Sequence, residues 1–223
     1  MRLGVVIPCY KPHLPKLLRL FESIAAQTAA PDCVVVACSS VFATDIGEGL
    51  VAAAAALGVV WILSSDRRNA AMNRNAGHAV ALARGVDAIT FIDADDVMHP
   101  QRCMALYGAL EGAADLVMHD YWDSAADLAR PFTSYSDFPV EYDCLARAPS
   151  GCAIHRGDWR RRVHHSQVTV TRRVLEAVTF PEGVEYERRE DAVFCGNALG
   201  DSRFRSAYIR LPLSKYDAAG SWL

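Results

Sequence analysis

The sequence predicts an α/β fold: a mostly parallel sheet with helices on both faces. Three observations point to it. The runs at residues 3–7, 33–38, 59–63 and 88–92 are apolar with no polar alternation, the pattern of strands buried on both faces. Stretches with helical spacing separate them, so strand and helix alternate along the first half. An acidic cluster, Asp93-Ala94-Asp95-Asp96, follows the fourth run directly, where open α/β sheets bind ligands.

Each element has its own signal. Residues 3–7 form a β-branched first strand that Pro8 is expected to stop. Leu14, Leu17, Leu18, Phe21 and Ile24 recur at helical spacing, which predicts a helix over 14–27. The second strand is 33–38. Thr44 is the expected cap of a helix carrying Ile46, Leu50, Val51 and an alanine run, with Gly58 at its end. Residues 59–63 form the third strand, and Ser65 or Asp66 caps a helix over about 67–84 that Gly85 closes. After the fourth strand, Pro100 suits the first turn of a helix to Leu110, and 116–118 is a fifth strand. The second half is less regular: a strand at 168–171, a helical turn at 173–178, a helix over 190–199 and a last strand at 207–213.

Composition narrows the function classes. The chain has 223 residues, 52% hydrophobic and 22% charged, the profile of a globular chain with a core and not of a disordered or fibrous one. A net charge of −3 argues against general attraction to nucleic acid or anionic lipid. Mean hydropathy is +0.08, but the longest apolar stretch, 50–63, is fourteen residues and contains Gly58, whereas a spanning helix needs about 20. The N-terminus has no small-residue cleavage site, so export is not expected. The seven cysteines are odd in number with no CxxC pair; they read as reduced thiols of a cytoplasmic protein, not as a disulfide framework or zinc site. No repeat or linker divides the chain, which reads as a single domain over 1–223.

Three segments carry chemistry. Asp93 and Asp95 are two apart in extended backbone, so both can point to one side. Their mutual repulsion is offset by a hard divalent cation, which commonly brings phosphate oxygens with it; a capping turn is the plain alternative. Glu190-Asp191 opens a helix, where acidic residues suit the dipole, or where one carboxylate serves as a general base for an alcohol. Arg74, Asn75 and Gly77 lie in a helix before the acidic strand, and Asn73, Asn75 and Gly77 are poor helix formers, so something other than propensity places them there.

Taken in order, Val5-Val6-Ile7-Pro8-Cys9-Tyr10, Arg74-Asn75-Ala76-Gly77, Phe91-Ile92-Asp93-Ala94-Asp95-Asp96 and Glu190-Asp191 resemble the opening, donor-side helix, DxD motif and ED motif of family 2 glycosyltransferases. The resemblance spans residues 3 to about 199. It implies the GT-A (nucleotide-diphospho-sugar transferase) fold, with 1–119 binding a nucleotide-sugar and 120–223 serving acceptor and catalysis. It implies an inverting transfer to an acceptor hydroxyl, the acceptor a carbohydrate or glycolipid of polysaccharide or glycoconjugate synthesis. By resemblance, Pro8 and Tyr10 lie under the nucleotide and Arg74 approaches it or its phosphates. Asp93 and Asp95 hold Mn²⁺ or Mg²⁺ on the donor diphosphate, with Asp96 as a substitute. Asp191 is the base, and Glu190 orients the acceptor or the base. The implied location is the cytoplasm or the inner face of the membrane.

Two features depart from the family pattern. The second strand ends Val36-Ala37-Cys38-Ser39-Ser40 with no carboxylate, a place that Asp66 could fill, and no histidine follows His165. Asp217 is a stand-in for that histidine or part of a surface tail; His155, His164 and His165 precede the ED motif; Trp122, Trp159 and Tyr186 are sugar-stacking or packing residues. A degenerate member used only for binding is one alternative reading. A haloacid-dehalogenase-like phosphatase, with Asp93-x-Asp95 as its nucleophile loop, is the other, although that motif normally follows a first strand.

Overall fold

The computed structural model describes residues 1–123, 131–158 and 163–217. Four apolar runs form parallel strands: β1 (Leu3–Tyr10), β2 (Cys33–Ser39), β3 (Val60–Ser64) and β4 (Ala88–Phe91), in the order β3-β2-β1-β4. The sheet then changes character. Beyond β5 (Val97–Met98) come β6 (Leu116–Trp122), β7 (Val140–Tyr142), β8 (Leu145–Arg147), β9 (Ala153–His155), β10 (Thr169–Thr171) and β11 (Ser206–Lys215). Three-residue β10 sits antiparallel between β4 and β6, and β11 runs parallel to β6 while β5 and β7 pair antiparallel with it. Strands β8 and β9 form a separate antiparallel pair.

The helices are α1 (Leu17–Ala25), α2 (Glu48–Ala56), α3 (Ala70–Ala83), α4 (Arg102–Glu111), α5 (Arg172–Leu175) and α6 (Glu190–Gly200). They divide the core in two. Val5 and Ile7 of β1 pack with Leu17, Leu20 and Phe21 of α1 and Leu106 of α4, whereas Val6 packs with Ala71 and Ala81 of α3 and Phe194 of α6. Alternate side chains therefore enter opposite cores, which is why the strand is apolar throughout. Each fully buried Val, Leu or Phe contributes about 1.5–3 kcal/mol of hydrophobic stabilisation.

Several local signals are overridden. Pro8 does not end β1. The Val6 carbonyl accepts from Ile92, so Val6 and Pro8 turn their backbone groups toward β4, whose register with β1 ends at Val6 and Phe91. The missing N–H of Pro8 therefore costs no ladder bond. Residues 11–16 form a 3₁₀ helix before α1, in which Pro15 removes a donor an α-helix would need. The caps also differ. Gly47 precedes α2 in place of Thr44, and Asn69, accepting from the Met72 N–H at 2.9 Å, caps α3 in place of Ser65 or Asp66. Gly58 (φ 62°) and Gly85 (φ 81°) follow α2 and α3 in the left-handed conformation that glycine adopts most readily.

Candidate active site

The acidic loop after β4, the N-terminus of α6 and the side chain of Arg74 meet at one end of the parallel strands. Arg74 projects from α3 and is 2% exposed. Its Nη2 donates to Asp93 Oδ1 at 2.7 Å and its Nη1 to Glu190 Oε1 at 2.5 Å. One guanidinium thus joins segments 116 residues apart in sequence. Burial opposes its charge, but Asp93, Glu190 and Asp191 outweigh that effect and its pKa is raised. Burial raises the pKa of Glu190, which is 6% exposed, against the pull of Arg74. Arg74 thus holds two carboxylates within the fold, and its Nε is buried with no hydrogen-bond partner among the described residues.

Of the three aspartates in the loop, Asp93 is the most open, its side chain 26% exposed. Asp95 is buried, and its Oδ2 has no hydrogen-bond partner among the described residues. The nearest basic groups to that oxygen are Lys16 Nζ at 3.6 Å and His13 Nε2 at 3.7 Å. Burial first, then the charge of Asp93, raises the Asp95 pKa. A buried carboxylate oxygen with no donor, next to a second carboxylate, fits a hard divalent cation, which would restore the favourable interactions lost with water. Asp96 is different. It is fully buried, accepts from Gln167 Nε2 at 2.5 Å and from the Asp217 N–H at 3.0 Å, and has a pKa raised well above the ordinary value by burial, Asp93 and Asp95. Its oxygens are already used within the fold, which argues against its serving as the substitute ligand or as an exposed cap.

Asp191 lies in the first turn of α6, half-buried, where its Oδ1 accepts from the Ala192 N–H at 2.6 Å. Pro8 and Tyr10 lie at the end of β1, where the Cys9 carbonyl accepts from Asn73 Nδ2 at 3.0 Å. Asp66 is exposed beyond β3, and its carbonyl accepts from the N–H of Ser40, the residue just past β2. It therefore stands beside the strand end that lacks a carboxylate. The poor helix formers of α3 are also accounted for. Asn75 bonds Phe180 through both its amide nitrogen (2.9 Å) and its oxygen (3.1 Å), and Asn69 donates to the Glu182 carbonyl, so this helix face is stitched to the segment before α6. A Cβ at Gly77 would come within 2.5 Å of Val6 Cγ1, so glycine allows α3 to approach β1.

Lys16, Arg19 and Arg102 reach the site without having been singled out in the sequence. Lys16 and Arg19 pair with Asp217 at 3.3 and 3.5 Å, and Arg19 donates to the Asp95 carbonyl at 2.5 Å. Asp217 is thus fastened over the acidic loop and is not part of a surface tail. The 3₁₀ helix turns Lys16 toward the loop, although on a helical wheel it reads as an ordinary polar-face residue. His164 contacts the rings of Tyr121 and Tyr216 at 4.5 Å each, and burial pushes its pKa down to about 3, partly opposed by Asp93. Arg102 is buried among Thr90, Phe91 and Gln167, which brace the acidic loop from beneath; burial lowers its pKa to about 10. Trp122 stacks on Phe132 and Tyr186 faces Arg189, while Trp159 lies outside the described residues.

Residues 4–136 match the family model of Glycosyl transferase family 2. No curated protein matches the sequence. Among solved structures, S. aureus TarS 1–349 in complex with UDP superposes with a TM-score of 0.72 at 15% identity, over 98% of this chain and 61% of that one. The same fragment with UDP-GlcNAc gives 0.71 at 15% identity, over 97% and 58%. The mannosyltransferase PcManGT from Pyrobaculum calidifontis, in complex with GDP-Man and Mn²⁺, gives 0.56 at 16% identity, over 95% and 55%. At these identities the likeness is one of fold, and the chain spans about three fifths of the TarS fragment's length.

Proposed function

The chain belongs to glycosyl transferase family 2 and has the GT-A fold, and from that premise we propose that it transfers a sugar from a nucleotide-diphosphate donor to an acceptor hydroxyl with inversion. The observation that carries the proposal is the two-armed contact of Arg74. It brings the acidic loop, suited to a donor diphosphate, and the Glu190-Asp191 turn, suited to an acceptor, into one site. Pro8 and Tyr10 form the floor beneath the nucleotide, and Asp66 meets its base or ribose in place of a carboxylate at the end of β2. Asp93 and Asp95 are the residues that would hold Mn²⁺ or Mg²⁺, which when bound stabilises charge on the departing diphosphate.

Glu190 is committed to Arg74, which leaves Asp191 as the carboxylate able to meet a substrate. As the acceptor oxygen bonds to the anomeric carbon, Asp191 takes the hydroxyl proton. The bond from that carbon to the diphosphate oxygen breaks, and its electron pair leaves with the nucleoside diphosphate. Attack on the face opposite the leaving group inverts the anomeric centre. The acceptor class proposed is a carbohydrate or glycolipid; no helix of the described residues is long and apolar enough to cross a membrane.

The test has two stages. A thermal-shift panel of UDP, GDP, CMP and dTDP, each with and without Mn²⁺, is expected to show one metal-dependent stabilisation, because a ligand that binds only the folded chain raises its Tm. With the matching nucleotide-sugar, Asp191→Asn is expected to lower turnover by about 10²–10⁴-fold while retaining that Tm shift. Normal turnover by Asp191→Asn would remove the base assignment. No response to any nucleotide would remove the transferase reading.

A further inference from the structure

The second half of the chain holds a group of metal-ligating side chains that glycosyl transfer leaves unused. Glu141 of β7, Cys144 in the turn after it and His155 of β9 present an oxygen, a sulfur and a nitrogen within 4.8 Å of one another. Local backbone chemistry builds the group. Asp143 takes the left-handed conformation (φ 57°), which folds the chain so that Cys144 Sγ lies 3.2 Å from the Glu141 carbonyl. The β8–β9 pairing sets His155 opposite Leu145, and the Arg156 N–H donates to the Cys144 carbonyl at 2.7 Å.

The donors are also prepared electrostatically. Arg210 Nη1 holds Glu141 Oε1 at 2.8 Å, which leaves Oε2 facing His155 Nε2 at 3.0 Å. His155 is 5% exposed, and its Nδ1 is buried with no hydrogen-bond partner among the described residues. A carboxylate fixed by arginine on one oxygen, beside a buried imidazole and a thiol, is a mixed N, O and S donor set. Such a set suits a borderline-soft ion and disfavours Mg²⁺ and Mn²⁺, which prefer oxygen.

We propose that Glu141, Cys144 and His155 form a zinc site whose fourth position is left to water, separate in chemistry from the acidic loop. Binding would take Cys144 as the thiolate and one neutral imidazole nitrogen of His155, releasing the displaced protons to solvent. The ion would join the small β8–β9 sheet, through His155, to β7 on the edge of the main sheet. That hairpin supports α6: a Cβ at Gly196 would overlap the Gly151 carbonyl in the β8–β9 turn. The site therefore steadies the hairpin against which the helix carrying Glu190 and Asp191 packs. The absence of a CxxC pair does not bear on such a site, because Glu141 and His155 come from strands of two sheets and meet Cys144 of the intervening turn only on folding.

Co²⁺ and Zn²⁺ test the proposal on the whole chain after chelator treatment. Co²⁺ is expected to give a thiolate-to-metal charge-transfer band that excess Mn²⁺ does not remove, and Zn²⁺ to raise the Tm. Cys144→Ser and His155→Gln are expected to lose the band and bind Zn²⁺ at least tenfold more weakly. Cys152→Ser, and Asp93→Asn with Asp95→Asn, are expected to keep it. Absence of the band from the parent chain overturns the site whether or not the variants fold. So does a band that survives Cys144→Ser.

Discussion

Replacing Arg74 by methionine tests the central contact of the site. The substitution keeps the volume of the aliphatic stem and removes the guanidinium, leaving Glu190 and Asp93 without their partner. Glu190 is 6% exposed, so its charge gains little from solvent, whereas the Asp93 side chain, 26% exposed, is partly rehydrated. Most of the cost therefore comes from the Glu190 arm. Removing one member of a buried pair costs about 3–5 kcal/mol, a large share of the roughly 5–15 kcal/mol by which a folded chain is stable. At about 2 °C per kcal/mol for a chain of this size, the Tm is expected to fall by about 6–10 °C. The pH dependence has a definite sign. Burial raises the Glu190 pKa even beside Arg74, and without Arg74 it rises further. The variant's deficit should therefore shrink on acidification, as Glu190 takes up a proton, and widen toward neutral pH. Urea denaturation of Arg74→Met, Glu190→Gln and the double variant closes a thermodynamic cycle, in which the double variant should recover part of the loss. A single-variant loss below about 1 kcal/mol, the level of an exposed ion pair, would refute the reasoning. So would a double variant no more stable than Arg74→Met.

Two further outcomes follow from packing and burial. Gly196→Ala and Gly77→Ala both insert a methyl into a tight contact, for which overpacking costs about 1–3 kcal/mol. Gly196→Ala should cost more, because it meets a backbone carbonyl, whereas Gly77→Ala meets the end of the Val6 side chain; equal losses by urea denaturation would contradict this. The raised pKa values of Asp95 and Asp96 mean that the folded chain keeps protons the unfolded chain releases near about pH 4. Their contribution to stability is full below that range and declines as pH rises through the raised values. The stability of Asp96→Asn relative to the parent should accordingly increase with pH in metal-free buffer, and a difference independent of pH would show that Asp96 does not titrate in this way.

Much of the fold was legible because its determinants are local. The unbroken runs in β1, β2 and β4 record burial on both faces. Caps and strand ends were less legible. Asn69 took the cap that Ser65 or Asp66 was expected to supply, since several residue types can accept the same N–H and tertiary fit selects among them, whereas Gly47 precedes α2 in place of Thr44 with no side-chain cap. Pro8 reads as a stop in isolation, yet it continues β1 because its missing donor falls beyond the β4 pairing.

The sequence by itself determined the α/β class, the alternation of elements and the chemistry of the acidic loop and of the turn that opens α6. These rest on periodicity and on charge in adjacent residues, and both act over a few positions. Tertiary structure decided which of those groups meet. It turned Arg74 inward onto Asp93 and Glu190, buried Asp96 beneath Gln167 and Asp217, and set three-residue β10 antiparallel between β4 and β6. It also gathered Glu141 of β7, Cys144 of the following turn and His155 of β9. The physical reason is common to all four: the strength of each contact depends on burial and relative orientation, which exist only once the two cores have formed.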